Sequence, residues 1–156
     1  MVSNMAGVLH VGFRGELPAD PEYEHPPGVS LARILETRFR SRFNSVDEFD
    51  NWRDCGWSLR VHFGDKTFEV YFALYYPEKN QWLLAILPLG QPGIIGRLFG
   101  RKPFRYRAEL EAIVTEVNSV LTEISSVSDI RWRFGGPPWT LSNAPCFEDL
   151  IWPDDL

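Results

Sequence analysis

Between Trp57 and Leu89 a run of 33 residues reads as three consecutive strands, broken by only two short turn signals. This run constrains the fold more than any other segment. Trp57, Leu59, Val61 and Phe63 alternate with Ser58, Arg60 and His62, the two-residue period of a strand with one buried face. Beyond Gly64-Asp65, Phe68, Val70, Phe72, Leu74 and Tyr76 alternate with Thr67, Glu69, Tyr71, Ala73 and Tyr75, so the two runs pair as an antiparallel hairpin. That pairing sets His62 beside Arg60 and opposite Glu69. Pro77–Asn80 supplies the next turn, and Trp82–Leu87 is apolar on both sides, the mark of a central strand with its second face covered.

Helical spacing dominates elsewhere. Leu110, Ile113, Val114, Val117, Leu121 and Ile124 form one apolar stripe, which predicts a helix over Tyr106–Ile124 with Glu109, Glu111, Glu116 and Glu123 facing water. Leu31, Ile34, Leu35 and Phe39 predict a first helix from an N-cap at Ser30 to Phe43. Ser45 with Glu48 three residues on is a capping-box pattern and predicts a short second helix, ended by Gly56. On that helix Phe49 and Trp52 share a face, and Asp47, Asp50 and Asp54 point elsewhere. Val8–Phe13 and Ile130–Phe134 read as further strands. The expected class is α+β: an antiparallel sheet of three to five strands packed against a long C-terminal helix, with one or two N-terminal helices.

A chain of 156 residues is the size of one domain. Residues 1–29 read as an irregular segment, 30–134 as the αβ core and 135–156 as a Pro/Trp-rich acidic tail. Within the first segment, Leu17–Pro27 reads as an acidic, Pro-rich loop or mobile arm. A net charge of −5 argues against nucleic acid as a partner, because phosphate contacts need a basic footprint. Cys55 and Cys146 lie far apart, which signals neither a zinc site nor a disulfide framework. No apolar run approaches the roughly 20 residues of a membrane span, and the N-terminus lacks signal-peptide features. A cytoplasmic location is expected. Aromatic residues reach 14%, more than a core this small absorbs easily, so some should serve partner contacts.

The chemistry-bearing residues are scattered. Gly96 and Gly100 with Arg101-Lys102 invite a phosphate-loop reading, but only three residues separate the glycines and Pro103 stands where the hydroxyl residue should be. With Ile94, Ile95, Leu98 and Phe99 the segment is instead an apolar and basic surface, suited to a protein partner or a membrane face. His10, His25 and His62 are isolated, with no metal-ligand spacing. A thiolate dyad of Cys55 and His62 would need the intervening strand to fold the pair together. No nucleophile elbow is present. The expectation is a chain with no catalytic residue, no metal and no cofactor. Two acidic clusters remain, Asp47, Glu48, Asp50 and Asp54, and Asp149, Asp154 and Asp155, with Trp139 and Trp152 near the second. Carboxylates that oppose a basic cleft, with aromatic anchors, suit binding to a protein partner.

Phe49-Asp50-Asn51-Trp52 leading into Gly56-Trp57-Ser58-Leu59, and the later Ser128-Asp129-Ile130-Arg131-Trp132, lie in an order of helices, three-strand meander and closing helix over residues 30–134. This layout resembles the small cytoplasmic immunity proteins of bacterial polymorphic and type VI toxin systems. The resemblance implies that the chain binds and neutralises one cognate toxin domain, here by plugging its active site with the acidic helix 46–54 or the tail. One alternative is an adaptor of a bacterial secretion or signalling complex, docking through Ile94–Phe99 and the tail. Another is a small enzyme whose pocket gathers Cys55, His62 and Glu69.

Overall fold

Phe68, Val70 and Phe72 stand opposite Val61, Leu59 and Trp57 on one neighbouring strand and opposite Pro88, Ile86 and Leu84 on the other. The alternation of the sequence is thereby turned into one continuous apolar face. In the computed structural model, which describes residues 8–92, 94–136, 146–154 and 156, the elements run β1 (Leu9–Arg14), α1 (Val29–Arg42), β2 (Ser45–Val46), β3 (Asp50–Trp52), β4 (Gly56–Phe63), β5 (Lys66–Tyr76), β6 (Gln81–Leu89), α2 (Ile94–Leu98), α3 (Arg107–Glu123) and β7 (Ser128–Phe134). All pairings are antiparallel in a seven-stranded sheet of order β2-β4-β5-β6-β1-β7, with β3 also paired to β4.

Two helices cover the apolar face. Leu31, Leu35 and Phe39 of α1 and Leu110, Ile113, Val114 and Val117 of α3 are fully buried in one cluster with Leu59, Val70, Phe72, Leu84 and Ile86. Side chains of this size each contribute roughly 1.5–3 kcal/mol through burial, so the cluster is the main driving force of the fold. Arg38 of α1 ties the helices together through Glu123 and Ser119 of α3. The central place expected for Trp82–Leu87 is met, since β6 lies between β5 and β1.

The structure departs from the sequence expectation at several points. The sheet has seven strands, and α3 is not a closing element, because β7 follows it and returns to pair with β1 on the side away from β6. The capping box at Ser45 and Glu48 starts no helix: Ser45–Val46 and Asp50–Trp52 are short strands laid along β4. The outer edge of β4 offers unpaired peptide groups, and satisfying them outweighs a local helix signal of a fraction of a kcal/mol per residue. Gly56 accordingly opens β4, where a Cβ would lie 2.0 Å from the Phe72 carbonyl oxygen. Helix α1 begins at Val29 after Gly28 at φ 98°, with no side-chain cap, and the Ser30 hydroxyl is buried without a partner among the described residues. A two-residue slip also separates expectation from pairing at His62, which faces Thr67, while Arg60 faces Glu69. No helix among the described residues is long and apolar enough to cross a membrane.

An acidic and aromatic sheet edge as the candidate binding site

Strands β2 and β3 form an edge on which carboxylates and aromatic rings alternate. Asp47 follows β2 and continues its ladder by donating its N–H to the Arg60 carbonyl at 3.0 Å. Its carboxylate meets His62 Nε2 at 3.0 Å, and His62 Nδ1 meets the Thr67 hydroxyl at 3.0 Å. The chain then turns back at Trp52–Cys55, where the Cys55 N–H bonds the Trp52 carbonyl at 3.1 Å. Both central residues are left-handed, Arg53 at φ 54° and Asp54 at φ 57°, a conformation normally left to Gly or Asn. Asn51 braces the turn, its Oδ1 accepting from the Asp54 N–H at 2.8 Å. Asp47, Glu48, Asp50 and Asp54 are all exposed.

The rings give this edge a rigid surface. Trp52 stacks on Tyr71 of β5, and the Arg53 guanidinium lies 5.4 Å from the Trp52 ring centre. Burial pushes the Tyr71 phenol above its usual pKa, Glu69 adds to the shift, and the ring stays a neutral hydrogen-bonding group. Behind the turn, Phe49 and Tyr23 both meet Trp57 edge-on at 5.5 Å.

The segment expected to be a loose arm is instead fastened to this edge. Arg33 of α1 binds Asp20 at 3.0 Å and Glu22 at 2.9 Å, while its guanidinium sits over the rings of Tyr23 and Phe49. The Glu22 N–H bonds the Asp20 carboxylate and, with Arg33, holds its pKa below the usual value. Trp57 Nε1 donates to the Pro26 carbonyl at 3.1 Å, and His25 Nε2 donates to the Asp54 carbonyl at 3.1 Å. Glu22 and Glu24 are exposed on this segment, while Asp20 is half-buried and, like Glu22, is paired with Arg33. Sequence reasoning missed Tyr23, His25, Arg33 and Tyr71 here. The only signal was the acidity of Leu17–Pro27, and nothing local says where that segment docks.

The second acidic cluster does not join the first. Phe147 packs on Trp132 at 5.7 Å, and Trp152 packs on Phe134 at 5.5 Å beneath the Arg107 guanidinium. The exposed Asp149 and Asp154 therefore sit by β7, five strand spacings or roughly 24 Å from β3. Trp152 is half-buried in this packing on β7. Trp139 and Asp155 lie outside the described residues.

The residues of the enzyme reading are also dispersed. Cys55 and His62 bound opposite ends of β4, roughly 23 Å apart at strand rise, and Cys55 Sγ contacts the Trp52 carbonyl. Glu69 pairs with Arg60. His62 does line an open cleft of about 620 Å³ together with Arg42, Phe43, Asn44, Ser45, Phe63, Gly64 and Glu109, but Cys55 and Glu69 are not in it. Among the described residues no group of three or more His, Cys, Asp or Glu is placed to hold a metal ion. Comparison with protein-family models, with curated proteins and with solved structures returns no match.

Proposed function

We propose that this protein acts by contact: it binds a cognate bacterial toxin in the cytoplasm and covers the toxin's active site with the β2–β3 edge, as an immunity protein does. One observation carries the reading. Four exposed carboxylates lie along the edge braced by Arg33 and Asn51: Asp50 and Asp54 stand two residues either side of Trp52, which stacks on Tyr71, and Asp47 and Glu48 lie toward the His62 end of β4. Such an edge complements a basic catalytic cleft: the charges accelerate encounter, and the rings supply contact area that loses little entropy on binding. The occluding element is a strand edge with its turn, in place of the helix 46–54 that the capping box suggested.

The test is co-expression with the product of the adjacent open reading frame. That product should arrest growth alone, and this chain should restore it. The triple variant D47K/D50K/D54K should slow association at least tenfold at low ionic strength with little change in dissociation. A product that is harmless alone, or an association rate that the variant leaves unchanged, would overturn the reading.

A further inference from the structure

The connection between β6 and α3 is a finger with a fixed base. There Gln91 Nε2 donates to the Phe104 carbonyl at 3.0 Å, and Phe104 packs edge-on to Tyr106, which meets Phe68 of the core at 5.8 Å. Helix α2 forms the tip and ends in a Schellman motif: the Gly100 N–H bonds the Arg97 carbonyl at 3.0 Å and the Arg101 N–H bonds the Gly96 carbonyl at 2.9 Å. Gly100, at φ 79°, makes this reversal possible. The tip therefore has a set shape without belonging to the core.

Its surface is unlike the rest of the molecule. Ile95, Leu98 and Phe99 are 72%, 80% and 83% exposed. Single exposed apolar residues are ordinary, but two on a five-residue helix with a third on the residue that follows it form a patch that wants an occupant. Arg97, Arg101 and Lys102 flank it, all exposed. From residue 80 to residue 108 the chain has five basic residues and no Asp or Glu, so this segment carries +5 and the remainder −10.

We propose that the α2 finger docks the protein on an anionic lipid surface. Ile95, Leu98 and Phe99 enter the boundary between headgroups and acyl chains, to a depth of roughly 5–10 Å, while Arg97, Arg101 and Lys102 meet headgroup phosphates. Charge and size both favour lipid as the occupant. The acidic remainder is repelled by the same surface and orients the molecule tip first. Three side chains supply roughly half of the about 800 Å² that one side of a stable protein interface buries. The inference is independent of the toxin-neutralising reading, since α2 lies outside the β2–β3 edge.

The experiment is co-sedimentation of the full chain with vesicles of phosphatidylcholine alone and with about 30% phosphatidylserine, at low ionic strength. The wild-type chain should partition onto the phosphatidylserine vesicles and scarcely onto the neutral ones. R97A/R101A/K102A should lower that partition about 100-fold, roughly fivefold for each cation. L98S/F99S should lower it at least tenfold, and both variants should keep the wild-type Tm because the replaced side chains are exposed. Failure of the wild-type chain to sediment with the anionic vesicles, equal sedimentation with both kinds, or undiminished sedimentation of folded variants would each overturn the proposal.

Discussion

Trp52 stacks on Tyr71 with 4.4 Å between ring centroids and 14° between planes, reaching from β3 across β4 to β5. The contact passes diagonally over Gly56, the residue paired with Trp52, and it joins the outermost strand to the interior of the sheet. Strand β3 has only three residues of its own, too few to hold an edge by ladder bonds alone. The stack should therefore be worth about 0.5–1.5 kcal/mol beyond the area it buries. A double-mutant cycle of W52A and Y71A, read by urea denaturation, should return a coupling energy in that range. A coupling near zero would mean that β3 is held by its turn and by Phe49.

Gly56 makes the same junction possible. A Cβ at this position would stand 2.0 Å from the Phe72 carbonyl oxygen and 3.0 Å from the Ala73 Cβ. The first of these is backbone and cannot swing aside, so Gly56→Ala must part β4 from β5. The cost should reach at least about 2 kcal/mol, the upper half of the usual overpacking range. Thermal unfolding should show the loss, and the near-ultraviolet circular dichroism of Trp52 and Tyr71 should weaken with it.

These two residues also mark the limit of what the sequence conveys. The β4–β5 hairpin, β7 and both long helices follow from periodicity, because each buries one face and burial imposes its period on the residues, whereas β1 and β6, buried on both sides, were legible only as apolar runs. Ser45–Trp52 carried a helix signal at Ser45 and Glu48, but its fate depended on the unpaired edge of β4, a partner that becomes available only once the hairpin exists. The docking of Asp20 and Glu22 onto Arg33 joins polar groups eleven to thirteen residues apart, and no periodicity records such a pairing. The acids at Asp47, Glu48, Asp50 and Asp54 were legible as a cluster. Their separation from Asp149 and Asp154 was not, because strand order decides it.

The Arg53-Asp54 turn stores strain that the fold does not need. Non-glycine residues in the left-handed region each cost roughly 1 kcal/mol, and Asn-Gly adopts this turn with little penalty. The variant R53N/D54G should therefore raise stability by about 1 kcal/mol, after loss of the Arg53–Trp52 contact and of the Asn51–Asp54 side-chain bond. It also removes one carboxylate from the proposed binding edge. Denaturant midpoint and affinity for the proposed toxin partner should move in opposite directions, a stability–function trade-off of the kind found where strain serves a site. Parallel movement of the two would place the strain outside the binding function.

His10 gives the protein a defined acid sensitivity. Its ring is 3% exposed on β1, between Ala85 of β6 and Arg133 of β7, and Nδ1 has no partner among the described residues. Burial, with a smaller contribution from the Arg133 charge, lowers its pKa from 6.5 to about 4. A histidine depressed in this way is neutral when folded and protonated when unfolded between those two values. Its contribution to stability is fully present above pH 6.5 and is lost as the pH falls to about 4, a total of about 3 kcal/mol. Glu123, which hydrogen bonds from Ser119 and Arg38 hold below the ordinary carboxyl range, loses its own contribution only in more acid solution. Between pH 6.5 and 5 the wild-type unfolding free energy should thus fall with a slope approaching about 1.4 kcal/mol per pH unit, and His10→Gln, which cannot take up the proton, should reduce that slope by nearly its whole value. Chemical denaturation at half-unit intervals of pH measures both curves, and parallel curves for the two proteins would show that the buried imidazole is not the group responsible.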